Sequence, residues 1–162
     1  LTLAGSAASA PDGFRESVRL TPIAAEIAGK PVLVRCAQTF DAWAAQVAAT
    51  GGGNPYQIGG YTLVADGETH LSPWTCQHIE GWLRGKNVPS LARFASSVLL
   101  LVHETVHLRG ELDESVADCT ALRELPGVLT RRFGIKRAVT RRAIMAAAWV
   151  RHRAQAEYRV LC

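Results

Sequence analysis

Six residues between positions 103 and 118 have the types and spacing to hold a metal ion and activate water beside it: His103, Glu104, His107, Asp113, Glu114 and Asp118. In a helix, side chains four apart lie one turn apart on one face, so His103 and His107 can ligate a single ion. Glu104 sits beside His103 but rotated off that line. It is near the ion without ligating it, which suits a general base acting on metal-activated water. Val102, Thr105, Val106 and Leu108 are uncharged, which puts the motif on a helix with an apolar side. Two imidazoles and a carboxylate are costly in such a place without a cation to meet them.

A hydrolytic zinc site takes three protein ligands and keeps its fourth position open. Two registers supply the third. The stretch HETVHLRGELD, 103–113, resembles the metzincin pattern H-E-x-x-H-x-x-G-x-x-H/D. That resemblance makes Asp113 the ligand, with Gly110 permitting the turn. The stretch ESVAD, 114–118, resembles the second helix of the gluzincins, where a glutamate ligates zinc and an acid one turn later orients the first histidine. Glu114 and Asp118 hold those places. Two considerations favour Glu114. Asp113 is placed to N-cap the second helix, which turns its carboxylate toward backbone N–H groups. The metzincin register also leaves Asp118 without a role. Met145, the only methionine, is too far downstream for a Met-turn. The link between the two helices is shorter than in large gluzincins, and Asp113 stands as the alternative.

The chain thus resembles a minimal zincin of gluzincin type. Its layout is also similar to small, uncharacterised exported bacterial proteins with an HExxHLRG core and a Tyr-Arg…Cys end, here Tyr158-Arg159 and Cys162. The specific match covers residues 99–120, with a looser echo over 61–83 and at the end. The resemblance implies Zn2+, hydrolysis of a peptide or protein substrate, and addition of that substrate to a sheet edge above the helix. One of the segments 61–65 and 68–71 is expected to provide the edge. Tyr158, His152 and His70 are candidates for stabilising the oxyanion, Tyr158 first.

Several elements must position these groups. Ser90 can cap a long helix whose apolar side is Leu91, Phe94, Val98, Leu101, Val102 and Leu108, and Gly110 can end it. Asp113 opens a helix over 114–125. Pro126-Gly127 is read as a break, followed by a short helix to Phe133 and a long one over 136–158. Upstream, SVRLTPIAAEIA (17–28) reads as a helix closed by Gly29, PVLVRC (31–36) as a strand, and 40–49 as a helix. YTLVADGETHLS (61–72) reads as a hairpin turning at Asp66-Gly67, followed by a Ser72-Pro73 helix start. The result is a helix-dominant α+β domain with about three strands.

At 162 residues the chain suits one domain, read as 13–162 behind a residual signal or linker segment, 1–12. LTLAGSAASAPDG resembles the tail of a signal peptide with an A-x-A-like Ala8-Ser9-Ala10 site, and export is the expectation. Four cysteines, Cys36, Cys76, Cys119 and Cys162, form no CxxC pair, and two disulfides are expected with three connectivities open. No apolar run approaches the ~20 residues of a membrane span. Net charge is +4, and from Arg123 onward ten basic residues face only Glu124 and Glu157. No aromatic interleaving points to nucleic acid. The basic stretch supports a rival reading, a catalytically silent zincin-fold module docking on an anionic cell-envelope surface.

Overall fold

The computed structural model describes residues 13–85 and 90–154. The signal-like residues 1–12, Tyr158, Arg159 and Cys162 lie outside the described residues. In chain order the elements are β1 (Phe14–Glu16), α1 (Leu20–Ala28), β2 (Leu33–Ala37), α2 (Phe40–Ala49), β3 (Gly60–Leu63), β4 (Glu68–Leu71), α3 (Pro73–Leu83), α4 (Leu91–Leu108), α5 (Glu114–Phe133) and α6 (Arg137–Ala154).

The class is helix-dominant α+β, as the sequence suggests, but the sheet has four strands rather than three. The added strand, β1, is three residues long, too short to show an alternating pattern. It exists by pairing antiparallel with β2, Phe14 opposite Ala37 and Glu16 opposite Arg35. The strand order is β1-β2-β4-β3, with β2 parallel to β4 and β3 antiparallel to it. Strand β4 is therefore interior. Of the two segments expected to receive a peptide, only β3 has a free edge. The hairpin closes through residues 64–67, with Gly67 at φ 67° in the left-handed region.

One sheet face, with Val34, Cys36 and Leu71, packs on α1, α3 and α4 in the main core; the other carries Phe14 and Ala37 against Trp43 and Val47 of α2. Helix α4 runs through the centre, buried almost without interruption from Phe94 to Leu108. Ser90, Ser72 and Asp113 cap α4, α3 and α5 as their positions suggest. Ser17 precedes α1 rather than opening it, accepting from Leu20 N–H with its hydroxyl.

The break expected at Pro126-Gly127 does not occur: α5 continues through both to Phe133. A proline inside a helix costs about 3 kcal/mol. Here Leu125, Val128, Leu129 and Phe133, on both sides of it, are buried in the main core, and that burial outweighs the cost. Cys36 and Cys76 form a disulfide joining β2 to α3. Cys119 on α5 is disulfide-bonded as well. Among the described residues no helix is long and apolar enough to cross a membrane.

Candidate metal centre

The last two turns of α4 and the first turn of α5 bring His103, His107 and Glu114 together, with one potential ligand atom from each within 4.8 Å of the others. Gly110, at φ 101°, turns the chain after α4. That turn returns the Glu111 carbonyl to within 2.6 Å of His107 Nδ1 and starts α5 beside the histidines. His103 Nδ1 lies 2.7 Å from Asp118 Oδ1. Each imidazole therefore turns Nδ1 toward an oxygen and Nε2 inward.

The two Nε2 atoms face each other at 3.0 Å. Glu114 closes the triangle, with Oε2 3.1 Å from His103 Nε2 and Oε1 3.3 Å from His107 Nε2. Ligands about 2.0–2.1 Å from a tetrahedral zinc sit about 3.3 Å apart. The observed edges are thus close to one face of such a tetrahedron, with a nitrogen, nitrogen and carboxylate donor set. Two inward lone pairs at this distance also repel unless a cation lies beside them. Without a metal a proton serves. The hydrogen bond to Glu114 pushes His107 up to about 9 against its burial, helped by the Glu111 carbonyl and the charge of Glu104. In return, His103 first and His107 second hold the Glu114 carboxyl well below the usual carboxylate range.

Asp113 is not part of this group. Its Oδ1 accepts from the backbone N–H of Ser115 at 2.8 Å and of Val116 at 3.0 Å. These bonds, with the Ser115 hydroxyl as the largest contribution, keep its carboxyl below the ordinary value. Its place at the helix start has fully committed the side chain to capping.

Glu104 is buried beside the group, where β3 crosses α4. Thr62 of β3 donates its hydroxyl to Glu104 Oε2 at 2.8 Å. The approach is close: a Cβ at position 60 would come 2.9 Å from Leu71 Cδ2 and 3.2 Å from Glu104 Cγ. Neither Thr62 nor Gly60 stands out in the sequence, because their importance comes from a strand crossing between residues some forty positions apart. Alternation alone places Thr62 on one face of the hairpin without showing what it meets.

The candidates for oxyanion stabilisation fare differently. His70 is fully buried on the far face of the sheet, stacked on Tyr61 and beside Phe14. Its Nε2 lies 3.2 Å from Glu68, which is also held by two 2.7 Å bonds from Arg35. Strand alternation points it away from α4, so it has no access to the centre. The His152 side chain and all of Tyr158 lie outside the described residues.

A cleft of 610 Å3 runs along α4 beneath the free edge of β3, with His103, Glu104, His107 and Glu114 at one end. Comparison with protein-family models, curated proteins and solved structures finds no match for this chain.

Proposed function

We propose that the protein is a zinc-dependent hydrolase, a small zincin-like metallopeptidase of gluzincin type. The observation that carries this reading is the converging triangle of two Nε2 atoms and one carboxylate with Glu104 beside it. His103, His107 and Glu114 would hold the ion. Zinc bound there would bring a water's pKa down toward ~7 and polarise a carbonyl oxygen.

The other steps belong to the chain's own groups. Asp118 and the Glu111 carbonyl hold the two imidazoles in the tautomer and orientation that direct Nε2 to the ion. Glu104 takes a proton from the attacking water and returns it to the leaving amine. The Thr62 hydroxyl, bonded to Glu104 Oε2, holds that oxygen and leaves the other to act. The free edge of β3 offers backbone groups to an extended peptide along the cleft. Export fits the Cys36–Cys76 disulfide, since such bonds persist in oxidising compartments.

The test is hydrolysis of a quenched peptide pool by protein reconstituted with one equivalent of zinc. Turnover that a chelator removes and zinc restores is the expected result. A zinc-loaded protein that cleaves no peptide in the pool contradicts the reading.

A second reading rests on a separate groove between α5 and α6, where Arg131, Arg137 and Arg141 surround Ile144 and Met145. It makes the protein a binding module for anionic surfaces. Reversing Arg137, Arg141 and Arg142 would then abolish retention on anionic vesicles, whereas peptide hydrolysis would be insensitive to that change under the first reading.

A further inference from the structure

The cleft extends well beyond the metal-binding group. Arg93, Ser97, Leu100, Glu104 and His107 follow one another on α4 at alternating four- and three-residue spacing and line it from end to end. The chemistry changes along this stripe. Among the described residues, the acids in the lining, Glu104 and Glu114, are both at the metal end, and its one arginine, Arg93, is at the other. Arg15, Arg35, Arg84, Arg109 and Arg132 each meet a carboxylate. Arg93 meets none among the described residues, although its side chain borders a cleft.

One further donor favours an anion at that end. His78 of α3 lines it with Nδ1 2.9 Å from Ser97 Oγ. With the Ser97 hydroxyl donating to Nδ1, the imidazole keeps an Nε2–H donor. Burial, then the charge of Arg93, holds the His78 pKa below its ordinary value, so the ring is a neutral donor at neutral pH. Among the described residues, the acids of the lining are at the opposite end from Arg93.

The direction of a bound peptide follows from β3. Gly59 abuts Leu100 and Gly60 abuts Glu104, so the strand advances along α4 toward the metal end. A peptide pairing antiparallel with the free edge of β3, the more stable arrangement, runs the opposite way. Its C-terminal side heads for Leu100, Ser97 and Arg93.

We propose that Arg93 and His78, whose ring is held by Ser97, form an anion subsite that holds a carboxylate of the bound peptide on the C-terminal side of the bond presented to Glu104. This rests on the peptidase reading. From Glu104, Ser97 is seven residues and Arg93 eleven residues back along α4, about 10 and 16 Å. At about 3.4 Å per extended residue, the carboxylate belongs about three to five residues beyond that bond. It can come from an Asp or Glu side chain or from the chain terminus.

The test is fluorescence-anisotropy binding of short alanine-rich peptides to zinc-loaded Glu104→Ala protein, which does not need turnover. A single Glu, Ala or Lys is stepped along amidated peptides, and a further set ends in a free carboxylate. At one position the Glu peptide, or the free-carboxylate peptide of matching length, should bind about tenfold tighter than its neutral counterpart. Adding Arg93→Ala should bring the ratio to about one, and Arg93→Glu should make the Lys peptide the tightest. Which set shows the preference identifies side chain or terminus as the source. Equal affinities throughout, or a preference that survives Arg93→Ala, would overturn the proposal. Turnover by the wild type without preference defeats the subsite alone, and preference without turnover defeats the peptidase reading alone.

Discussion

His103 and His107 divide their nitrogens between two tasks: Nδ1 anchors the ring to Asp118 or to the Glu111 carbonyl, and Nε2 faces the other histidine and Glu114. Each partner can be separated by substitution. Glu114→Ala removes a ligand and should abolish stoichiometric zinc binding, measured by elemental analysis after dialysis. Asp113→Ala removes a helix cap and should lower the melting temperature modestly while zinc stays bound. The reverse pattern would move the third ligand to Asp113. Asp118→Asn should keep the metal but weaken it about 10–100-fold. Protonation gives a further prediction. The metal-free protein holds a proton on His107 up to about pH 9, and zinc must displace it. Apparent zinc affinity should therefore rise about tenfold per pH unit from 7 toward 9, read by chelator competition; an affinity flat in pH would contradict this. The sign for stability is opposite. A raised histidine pKa contributes stability fully present below the unfolded value near 6.5. That contribution is lost as pH rises through about 9, so the metal-free protein should melt lower at pH 10 than at pH 7.

At the scale of elements, α4, α5 and β3 build the site, and they were not equally legible. The HExxH spacing, the Ser90 and Asp113 caps and the Gly110 turn are local signals, so both helices and their hinge could be read from the sequence. Strand β3 appeared as half of a hairpin, but its place at the sheet edge depends on β4 pairing parallel with β2, Val34 opposite Thr69, a contact no local pattern announces. Nor does any local pattern show that His70, a candidate for oxyanion stabilisation, faces away from α4. The Arg35–Glu68 ion pair, next to His70, is buried on the sheet's second face. Proline signalled a helix end at 126 because packing on α4 and α6 is invisible locally. The close crossing of β3 over α4 yields its own prediction. Gly60→Ala would press on Glu104 Cγ and Leu71 Cδ2. A misplacement of about 1 Å at a reacting group costs about 100-fold in rate, and the shift here is a few tenths of an ångström. Peptide turnover should fall, by less than that factor, with zinc content unchanged; an unchanged turnover would remove Glu104 from the chemistry at that crossing.

For the molecule as a whole, one core organised around α4 holds the sheet and the remaining helices of the site in place, and the Cys36–Cys76 bond ties β2 to α3 across a separation of 40 residues. Loop-closure entropy for a separation of that size is worth about 4 kcal/mol. A Cys36→Ser, Cys76→Ser double variant should lose roughly 3–4 kcal/mol in denaturant unfolding, and a loss below about 1 kcal/mol would show that the cross-link constrains little. Arg131, Arg132, Arg137, Arg141 and Arg142 are exposed, so reversing Arg137, Arg141 and Arg142 bears on surface docking and leaves the fold in place.

In the proposed reaction Glu104 moves the protons of a hydrolysis at an ion held by His103, His107 and Glu114. Zinc content and peptide turnover measured together on the wild type and on Glu104→Gln test it most directly. One zinc per chain in both proteins, with turnover in the wild type and a loss of at least about 1000-fold in the variant, is the expected result. A variant that binds zinc and cleaves as fast as the wild type would contradict the claim, as would a wild type that takes up no zinc.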